Sequence, residues 1–368
     1  MRPATLAVHP PHVHVPQRPV APPIHPAASF EGDPEELAGL LRGEGEGFAY
    51  ARYANPTSAA TEQSLARLEE AEAGLWCASG MAAITAVVAT ACSQGDEVLC
   101  AAEIYGVTVA LLRRVVTRWG VSVRVEPVDT LVPGPRTRVI IAETISNPTL
   151  HTCDLAVLAA RKGDAWLVVD NTFATPALCR PLSVGADLVV HSASKYIGGH
   201  GDIIAGAVCG DAARIGAIRG VAATMGLTGD PWSAWLAARG IATLPLRMER
   251  HSQNARSLAT FLRARGLAVH TPAPRTWLSD LGGMLSVALA DRTQAFSVMR
   301  RLTLFRSATS LGDCHSMVVH PASTSHRDLD DAGLAAVGIS QGTVRVSVGI
   351  EAIEDLCDDW ARALEDVG

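Results

Sequence analysis

A lysine and an aspartate, two residue types used in covalent catalysis, each lie at or just beyond the end of an apolar run in this chain. Lys195 follows an apolar run at residues 188–190, and a glycine-rich turn comes shortly after it. Asp170 ends a second apolar run, at residues 166–169. Lys195 is also one of only two lysines in the sequence, the other being Lys162. The pattern therefore predicts an amine and an acid, each at the carboxyl end of a buried strand.

A lysine and an acid in these positions are the two anchors that pyridoxal phosphate requires. The lysine amine forms an imine with the aldehyde of the cofactor. The acid keeps the pyridine nitrogen protonated, which makes the ring an electron sink. We therefore expect Lys195 and Asp170 to bind pyridoxal phosphate.

The composition is typical of a large, well-buried globular protein. The chain has 368 residues, of which 48% are hydrophobic and 18% charged, and a chain of this length most often forms two domains. A net charge of -6 gives no positive surface for nucleic acid or for an anionic membrane. No apolar run is long enough to span a bilayer. We expect a cytoplasmic protein that binds neither nucleic acid nor membranes.

The cysteines and histidines do not form a recognisable metal site. The eight cysteines are dispersed without a C-x-x-C pair, so neither a zinc site nor a disulfide framework is indicated. His9, His12, His14 and His25 lie among prolines near the start of the chain. Because prolines exclude helix and no ligand spacing repeats, this segment is interpreted as an extended arm rather than a metal site.

Short apolar runs alternate with helical segments between residues 60 and 210. Their continuous apolarity indicates a mostly parallel sheet that helices cover on both faces. The predicted strands lie at residues 97–101, 121–125, 139–142, 167–169, 188–190 and 205–208. Past residue 239, long Arg- and Ala-rich helical segments flank short strands at residues 285–289 and 344–348. The sequence therefore predicts an α/β protein with a smaller α+β C-terminal domain.

The composition shifts also predict domain boundaries. We place an extended N-terminal arm that contributes to a subunit interface at residues 1–48. A large cofactor-binding α/β domain follows at residues 49–240, and the small domain at residues 241–368. Ligands of parallel sheets bind beyond the carboxyl ends of the strands, which is where Asp170 and Lys195 fall.

Further residues fit the phosphate and the ring of the same cofactor. Gly80 and Met81 open a helical run, and the N–H groups and dipole of a helix start favour a phosphate. Ser192 and Ser194 could donate hydrogen bonds to that phosphate, and the Tyr105 ring could stack on the pyridine. Taken alone, the Gly80–Met81 pattern is equally typical of any helix start. The two serines are equally typical of a tight turn, and Tyr105 of an ordinary packed tyrosine.

Together, these segments resemble the Cys/Met-metabolism family of pyridoxal phosphate enzymes. That family includes cystathionine γ-synthase, cystathionine γ-lyase, methionine γ-lyase and O-acetylhomoserine sulfhydrylase. The matching segments extend over nearly the whole chain and include YARYANPT (50–57), SGMAA (79–83), VDNTF (169–173), SASKY (192–196), SLGD (310–313), HPAS (320–323) and VRVSVG (344–349). The resemblance implies a fold type I pyridoxal phosphate-dependent transferase.

The resemblance also implies a role for each matching residue. Lys195 would carry the internal aldimine and shuttle protons, Asp170 would pair with the pyridine nitrogen, and Tyr105 would stack on the ring. The residues that would contact the cofactor are Tyr50, Arg52, Gly80, Met81, Tyr105, Asn147, Asp170, Thr172, Ser192, Ser194 and Lys195. The residues that would bind the substrate are Arg345, which would clamp its α-carboxylate, Ser310 and Asn147. Tyr50 and Arg52 would come from a neighbouring subunit, which implies a homodimer with shared sites and, commonly in the family, a homotetramer.

The implied reaction is the γ-elimination of a methionine- or homocysteine-like amino acid. It would pass through a ring-stabilised carbanion and a vinylglycine-type intermediate, and it would release an α-keto acid and ammonia. The alternative is γ-replacement on an O-activated homoserine, with an unusual nucleophile. Val107 and Thr309 depart from the family pattern and leave that alternative open, whereas residues 310–313 and 320–326 favour the lyase.

Two other functional classes agree less well with the sequence. A cofactor-binding protein with a regulatory role would be expected to have lost some of Lys195, Asp170, Tyr105 and Arg345, and all four are present. A dinucleotide-dependent dehydrogenase would need a G-x-G-x-x-G after its first strand, and none is present. Trp232 and Trp235 are interpreted as core residues on one helical face.

Overall fold

The computed structural model describes residues 19–327 and 330–365. Residues 1–18 of the predicted arm, with His9, His12 and His14, therefore lie outside the described residues. Within the described ranges the arm begins with little regular structure and then forms one short helix, α1 (Pro34–Leu41). Asp33 caps this helix, since its carboxylate accepts hydrogen bonds from the N–H groups of Glu35 and Glu36.

A seven-stranded sheet with the order β1-β7-β6-β5-β4-β2-β3 carries the residues of interest. Its strands are β1 (Ala73–Cys77), β2 (Glu97–Ala101), β3 (Ser122–Glu126), β4 (Thr137–Glu143), β5 (Trp166–Asp170), β6 (Leu188–Ser192) and β7 (Gly206–Gly210). Strands β2 to β6 pair in parallel, and β7 pairs antiparallel with β6 and β1. The prediction of a mostly parallel sheet is confirmed.

Helices flank this sheet, as the continuous apolarity of its strands predicted. They are α2 (Pro56–Glu69), α3 (Gly80–Ala91), α4 (Gly106–Arg114), α5 (Leu155–Arg161), α6 (Thr175–Leu178), α7 (Ala212–Met225) and α8 (Pro231–Ile241). The valine, leucine and isoleucine side chains at the centres of β2, β4, β5 and β6 are fully or almost fully buried in one core. The strand ends that face the cleft described below are therefore held by a rigid sheet.

A second sheet of five strands has the order β10-β11-β12-β9-β8 and its own apolar core, which includes Leu258 and Trp360. Its strands are β8 (Ala268–His270), β9 (Met284–Ala288), β10 (Arg306–Ser307), β11 (Met317–Val319) and β12 (Thr343–Ser347). The helices of this half are α9 (Leu244–Ala264), α10 (Arg292–Arg301), α11 (Asp331–Ala336) and α12 (Ile353–Leu364). The predicted domain boundary at residue 240 precedes α9 and stays a prediction.

Four strands were not predicted from the sequence, and one expectation was wrong. Strand β1 was missed because its five residues contain a glycine and follow a helix closely, and β8, β10 and β11 were missed because each has only two or three residues. Trp232 and Trp235 are not core residues: the Trp232 side chain is 58% exposed, and the Trp235 indole donates a hydrogen bond to the Pro22 carbonyl. Among the described residues, no helix is both long and apolar enough to cross a bilayer.

The contact between β7 and the start of α3 leaves no room for a side chain at Gly206. A Cβ at this position would collide with the backbone of Ser79 and Gly80. We expect Gly206→Ala to lower the free energy of unfolding by about 3 kcal/mol, because neither backbone segment has room to move. The measurement is the midpoint of thermal unfolding.

Gly216→Ala is the matched control, because a Cβ at this position in α7 would meet nothing within 4 Å. Alanine favours helix over glycine by about 1 kcal/mol, so the control is expected to unfold at a higher temperature than the wild type. Equal midpoints for the two variants would contradict the close contact between β7 and α3.

Candidate active site

A cleft of about 1090 Å³ opens where β4, β5 and β6 end. Most of the residues predicted from the sequence line it. These are Gly80, Met81, Tyr105, Asn147, Asp170, Thr172, Ser192, Ser194, Lys195, Ser310 and Arg345. Residues separated by more than 250 positions in the chain therefore meet in one cavity, as expected for the carboxyl edge of a parallel sheet.

Lys195 is mostly buried in this cleft. Its Nζ donates a hydrogen bond of 2.9 Å to the Ser310 hydroxyl. Burial lowers the pKa of Lys195 to about 8, and the nearby Arg345 guanidinium acts in the same direction. About a tenth of the amine is thus uncharged at pH 7, far more than for an ordinary lysine, and the uncharged amine is the form that attacks an aldehyde.

Arg345 extends from β12 of the second sheet into the same cleft. Its Nη1 donates to Asn147 Oδ1 at 2.9 Å and its Nη2 to the Ser310 carbonyl at 2.8 Å. Burial lowers the pKa of Arg345 to about 10, which still leaves the guanidinium charged at neutral pH. Its Nε is buried and has no hydrogen-bond partner among the described residues. A fixed cation that lines the cleft is suited to an entering carboxylate.

Ser310 connects these two groups through an unusual backbone conformation. Its hydroxyl accepts the hydrogen bond from Lys195, and its carbonyl accepts the one from Arg345. Its φ of 153° is rare for a residue other than glycine. The amine and the guanidinium are therefore held relative to each other by one residue.

Two half-buried carboxyl groups also line the cleft. Asp170 Oδ1 accepts the Thr172 N–H at 2.9 Å, and burial raises the pKa of Asp170. Glu143, at the end of β4, accepts the N–H groups of Tyr105 (2.8 Å) and Asn147 (3.1 Å). Burial, followed by the charge of Asp170, raises the pKa of Glu143 well above its usual value. Glu143 therefore fixes two predicted site residues.

The start of α3 faces the cleft as a possible anion site. Ser79 caps this helix by accepting the N–H of Ala82 at 3.0 Å. The first N–H groups of a helix have no partner within it, so those of Gly80 and Met81 can face a phosphate. A Cβ on Gly80 would lie 3.0 Å from that of Ser192, so only glycine lets this helix approach β6 so closely.

The two predicted serines differ in how their hydroxyls are engaged. The Ser194 hydroxyl donates to the Ala205 carbonyl at 3.2 Å and accepts the Ala205 N–H at 2.9 Å. The Ser192 N–H donates to the Thr172 hydroxyl at 2.8 Å, which links the ends of β6 and β5. Both serines line the cleft, but Ser194 shares its hydroxyl with the backbone.

Tyr50 and Arg52 do not line the cleft of their own chain. The Arg52 guanidinium donates to the Ala223 carbonyl at 2.6 Å and lies 4.8 Å from the centre of the Tyr53 ring. The Tyr50 side chain is 42% exposed. The structure therefore places both residues on the surface, separate from the other predicted site residues.

The outer part of the cleft is lined by residues to which the sequence assigned no contact. Val107 is 44% exposed there, and Val125, Val337 and Thr309 line the same cavity. His326 also lines it, and burial lowers the pKa of this imidazole. No local motif predicted this wall, because its residues come from separate loops, helices and strands.

The donor set fits pyridoxal phosphate. A buried amine with a lowered pKa suits the aldehyde, and a buried carboxyl group suits the pyridine nitrogen. A helix start with two exposed N–H groups suits the phosphate. The Tyr105 side chain, 37% exposed at the cleft, offers an aromatic face.

Comparison with known proteins agrees with this fit. Residues 4–365 match the sequence profile of the "Cys/Met metabolism PLP-dependent enzyme" family. An L-methionine γ-lyase of Pseudomonas putida is 42% identical over 98% of this chain and 97% of its own length. An O-succinylhomoserine sulfhydrylase of Pseudomonas aeruginosa is 37% identical over 89% of this chain and 86% of its own.

The similarity extends to the three-dimensional structure of a solved protein. A crystal structure from Campylobacter jejuni that contains N'-pyridoxyl-lysine-5'-monophosphate superposes with a TM-score of 0.90. It is 29% identical in sequence, and the match covers 98% of this chain and 99% of that one. A lysine that carries the cofactor is therefore recorded in a protein of the same fold.

The lowered pKa of Lys195 can be tested through the pH dependence of its reaction with pyridoxal phosphate. After incubation with pyridoxal phosphate and borohydride reduction, we expect the pyridoxyl group on the Lys195 peptide in the mass spectrum. The initial labelling rate should rise about tenfold per pH unit below pH 8 and level off above it, because only the uncharged amine reacts.

Lys195→Ala is the control, since it keeps Lys162, whose amine contacts the Asp187 carboxylate. Comparable labelling of Lys162 and Lys195 in the wild type would contradict the assignment. A labelling rate that climbs steadily to pH 10 would contradict the lowered pKa.

Proposed function

Because the chain belongs to the Cys/Met metabolism PLP-dependent enzymes, we propose that it catalyses γ-elimination on methionine or homocysteine. In this reaction the bond between Cγ and sulfur breaks and one water is consumed. Methionine would give 2-oxobutanoate, ammonia and methanethiol. The whole-length similarity to an L-methionine γ-lyase supports this choice within the family.

The observation that carries the proposal is the link between Lys195 and Arg345 through Ser310. A guanidinium that holds the α-carboxylate next to a mobile amine places the substrate Cα near a base. Elimination at Cγ requires protons to be moved at Cα and Cβ, and a single amine adjacent to both carbons can do this.

When bound, pyridoxal phosphate supplies an aldehyde that takes the substrate amino group and a ring that withdraws electrons from Cα. We propose that Lys195 attaches it and that Asp170 pairs with the ring nitrogen. The N–H groups of Gly80 and Met81, with Ser192 and Ser194, would hold the phosphate. Thr172 would keep Asp170 in place through its N–H.

The remaining site residues would orient the reactants. Tyr105 would stack on the ring, and its position is set by the hydrogen bond from its N–H to Glu143. Asn147 holds Arg345 through Oδ1 and is itself held by Glu143, so the carboxylate clamp is tied to β4. With a pKa of about 8, the Lys195 amine can both accept and return a proton near neutral pH.

The outer wall of the cleft is consistent with an uncharged thioether. Val107, Val125 and Val337 would pack against the substituent on Cγ. γ-Replacement on an O-activated homoserine is the second candidate, favoured by the similarity to an O-succinylhomoserine sulfhydrylase. Elimination and replacement differ only in whether water or another nucleophile ends the reaction, so added thiol distinguishes them.

We further propose that the working unit is a homodimer with shared sites, assembled in pairs as a tetramer. Tyr50 and Arg52 would then reach the phosphate in the neighbouring subunit. Their exposure and their absence from the cleft of their own chain support this arrangement. A cytoplasmic location is supported by the eight cysteines, none of which forms a disulfide.

The reaction is tested by product analysis. Purified protein loaded with pyridoxal phosphate should release 2-oxobutanoate from methionine or homocysteine, and added thiol should leave this release largely unchanged. Lys195→Ala should lose at least about a thousandfold in turnover, because proton transfer and cofactor attachment are both removed. Release only from O-acetyl- or O-succinylhomoserine, with a new thioether when thiol is added, would replace the first candidate by the second.

The shared site is tested by mixing two inactive variants. Arg52→Ala and Lys195→Ala subunits, unfolded and refolded together, should regain about a quarter of the wild-type activity. Half of the dimers would then be mixed, and each would contain one site without either substitution. Each variant refolded alone is the control. No recovery from a mixture shown to contain mixed dimers would contradict the contribution of Arg52 to the neighbouring site.

A further inference from the structure

A fully buried polar cluster lies directly behind the cleft. His191 of β6 and Glu69, the last residue of α2, both have side chains with 0% exposure. The distance from His191 Nε2 to Glu69 Oε1 is 2.6 Å. Asn171 Nδ2 donates to the same oxygen at 3.0 Å and to the Cys179 carbonyl at 2.9 Å. None of these side chains lines the cleft.

The cluster holds the same two strand ends that present the cofactor residues. Asn171 directly follows Asp170, and His191 directly precedes Ser192. Asp170 pairs with Val190 in the sheet. Because side chains alternate along a strand, Asp170 and Ser192 face the cleft while His191 faces the other side. Glu69 therefore joins β5 and β6 from the rear of the sheet.

Stability alone does not account for this cluster. A buried pair of ionisable groups is often no more stabilising than apolar residues of the same volume. A carboxylate in the last turn of a helix is also unfavourable beside the negative end of the helix dipole. In addition, Glu69 Oε2, His191 Nδ1 and Asn171 Oδ1 are buried without a partner among the described residues, and each carries a desolvation penalty.

The location of the cluster offers a reason why these energetic penalties are tolerated. On the cleft side, the Thr172 hydroxyl accepts the Ser192 N–H and so joins the two strand ends. On the rear side, Asn171 and His191 are joined through Glu69. The strand ends are thus fixed from both faces, which sets the distance between Asp170 and the turn that carries Lys195.

The cluster also acts on Asp170 through charge. Burial raises the pKa of Asp170, whereas the Thr172 hydrogen bonds and the nearby His191 imidazole act in the opposite direction. The other buried acid near Asp170 on the cleft side is Glu143. An ionised Asp170 is the form that pairs with a protonated pyridine nitrogen.

We propose that Glu69, His191 and Asn171 are positioning residues that hold Asp170 at the correct distance from Lys195 for cofactor binding. This rests on the proposed role of Asp170 as the partner of the ring nitrogen. The three residues touch neither cofactor nor substrate and act through the strand ends that they join. Substitution of these residues should therefore change the affinity for pyridoxal phosphate even when no substrate is present.

The test compares Glu69→Gln with Glu62→Gln, two buried acids on the same helix. Glu62 accepts the Trp76 N–H at 2.7 Å and pairs with Arg219 at 2.8 Å, so its contacts are with β1 and α7 rather than with β5 and β6. For each apoprotein, the dissociation constant for pyridoxal phosphate and the absorbance of the lysine-bound cofactor are measured. The denaturation midpoint is recorded in parallel.

We expect the dissociation constant to rise about tenfold in Glu69→Gln, with a changed absorbance maximum, since removal of a positioning partner typically weakens a site by that factor. In Glu62→Gln the dissociation constant should stay within about twofold of wild type, even though the lost ion pair lowers its denaturation midpoint. The double variant Glu69→Gln/His191→Gln should bind pyridoxal phosphate at least as tightly as whichever single variant binds it less tightly. This is expected because the two residues act as one unit.

A lower denaturation midpoint in Glu69→Gln, with wild-type affinity and absorbance, would make the cluster merely structural and overturn the proposal. If Glu69→Gln does not fold, Asn171→Ala tests the same link and leaves the Glu69–His191 contact in place. Unchanged cofactor affinity in that variant would equally overturn the proposal. Neither readout requires a substrate, so a failure of the proposed γ-elimination would not affect the result.

Discussion

The site depends on the burial of charged groups at one cleft. Burial lowers the pKa of Lys195 to about 8 and raises those of Asp170 and Glu143. Each group is thereby shifted toward its neutral form. A ligand that brings its own phosphate, ring nitrogen and carboxylate supplies the opposite charges that these groups lack. The cleft is thus complementary in charge to a pyridoxal phosphate–amino acid pair.

The two sheets carry the residues proposed for two different ligands, the cofactor and the substrate. The seven-stranded sheet ends in the residues proposed to hold the cofactor, and Arg345 on β12 of the five-stranded sheet is proposed to hold the substrate. Arg345 spans the division by donating to Asn147 on one side and Ser310 on the other. The distance between the amine and the carboxylate clamp is therefore fixed by contacts between the two sheets.

Much of this arrangement was predictable because it follows from local patterns. Apolar runs that end in an acid or in small residues before a lysine placed Asp170 and Lys195 at strand ends, and the structure brings them into one cleft. Contacts between distant residues had no such signal. Glu69 and His191 are 122 positions apart, and neither belongs to a motif that predicts their contact. The spacing of Trp232 and Trp235 showed that they share a helical face, but only packing decides whether that face is buried, and it is not.

Ser310 has a consequence for any redesign of this enzyme. One residue accepts a hydrogen bond from Lys195 with its hydroxyl and from Arg345 with its carbonyl. Any shift of its backbone would therefore move the proposed carboxylate clamp and the proposed base together. We expect a change in this loop that alters substrate range to alter the efficiency of proton transfer as well.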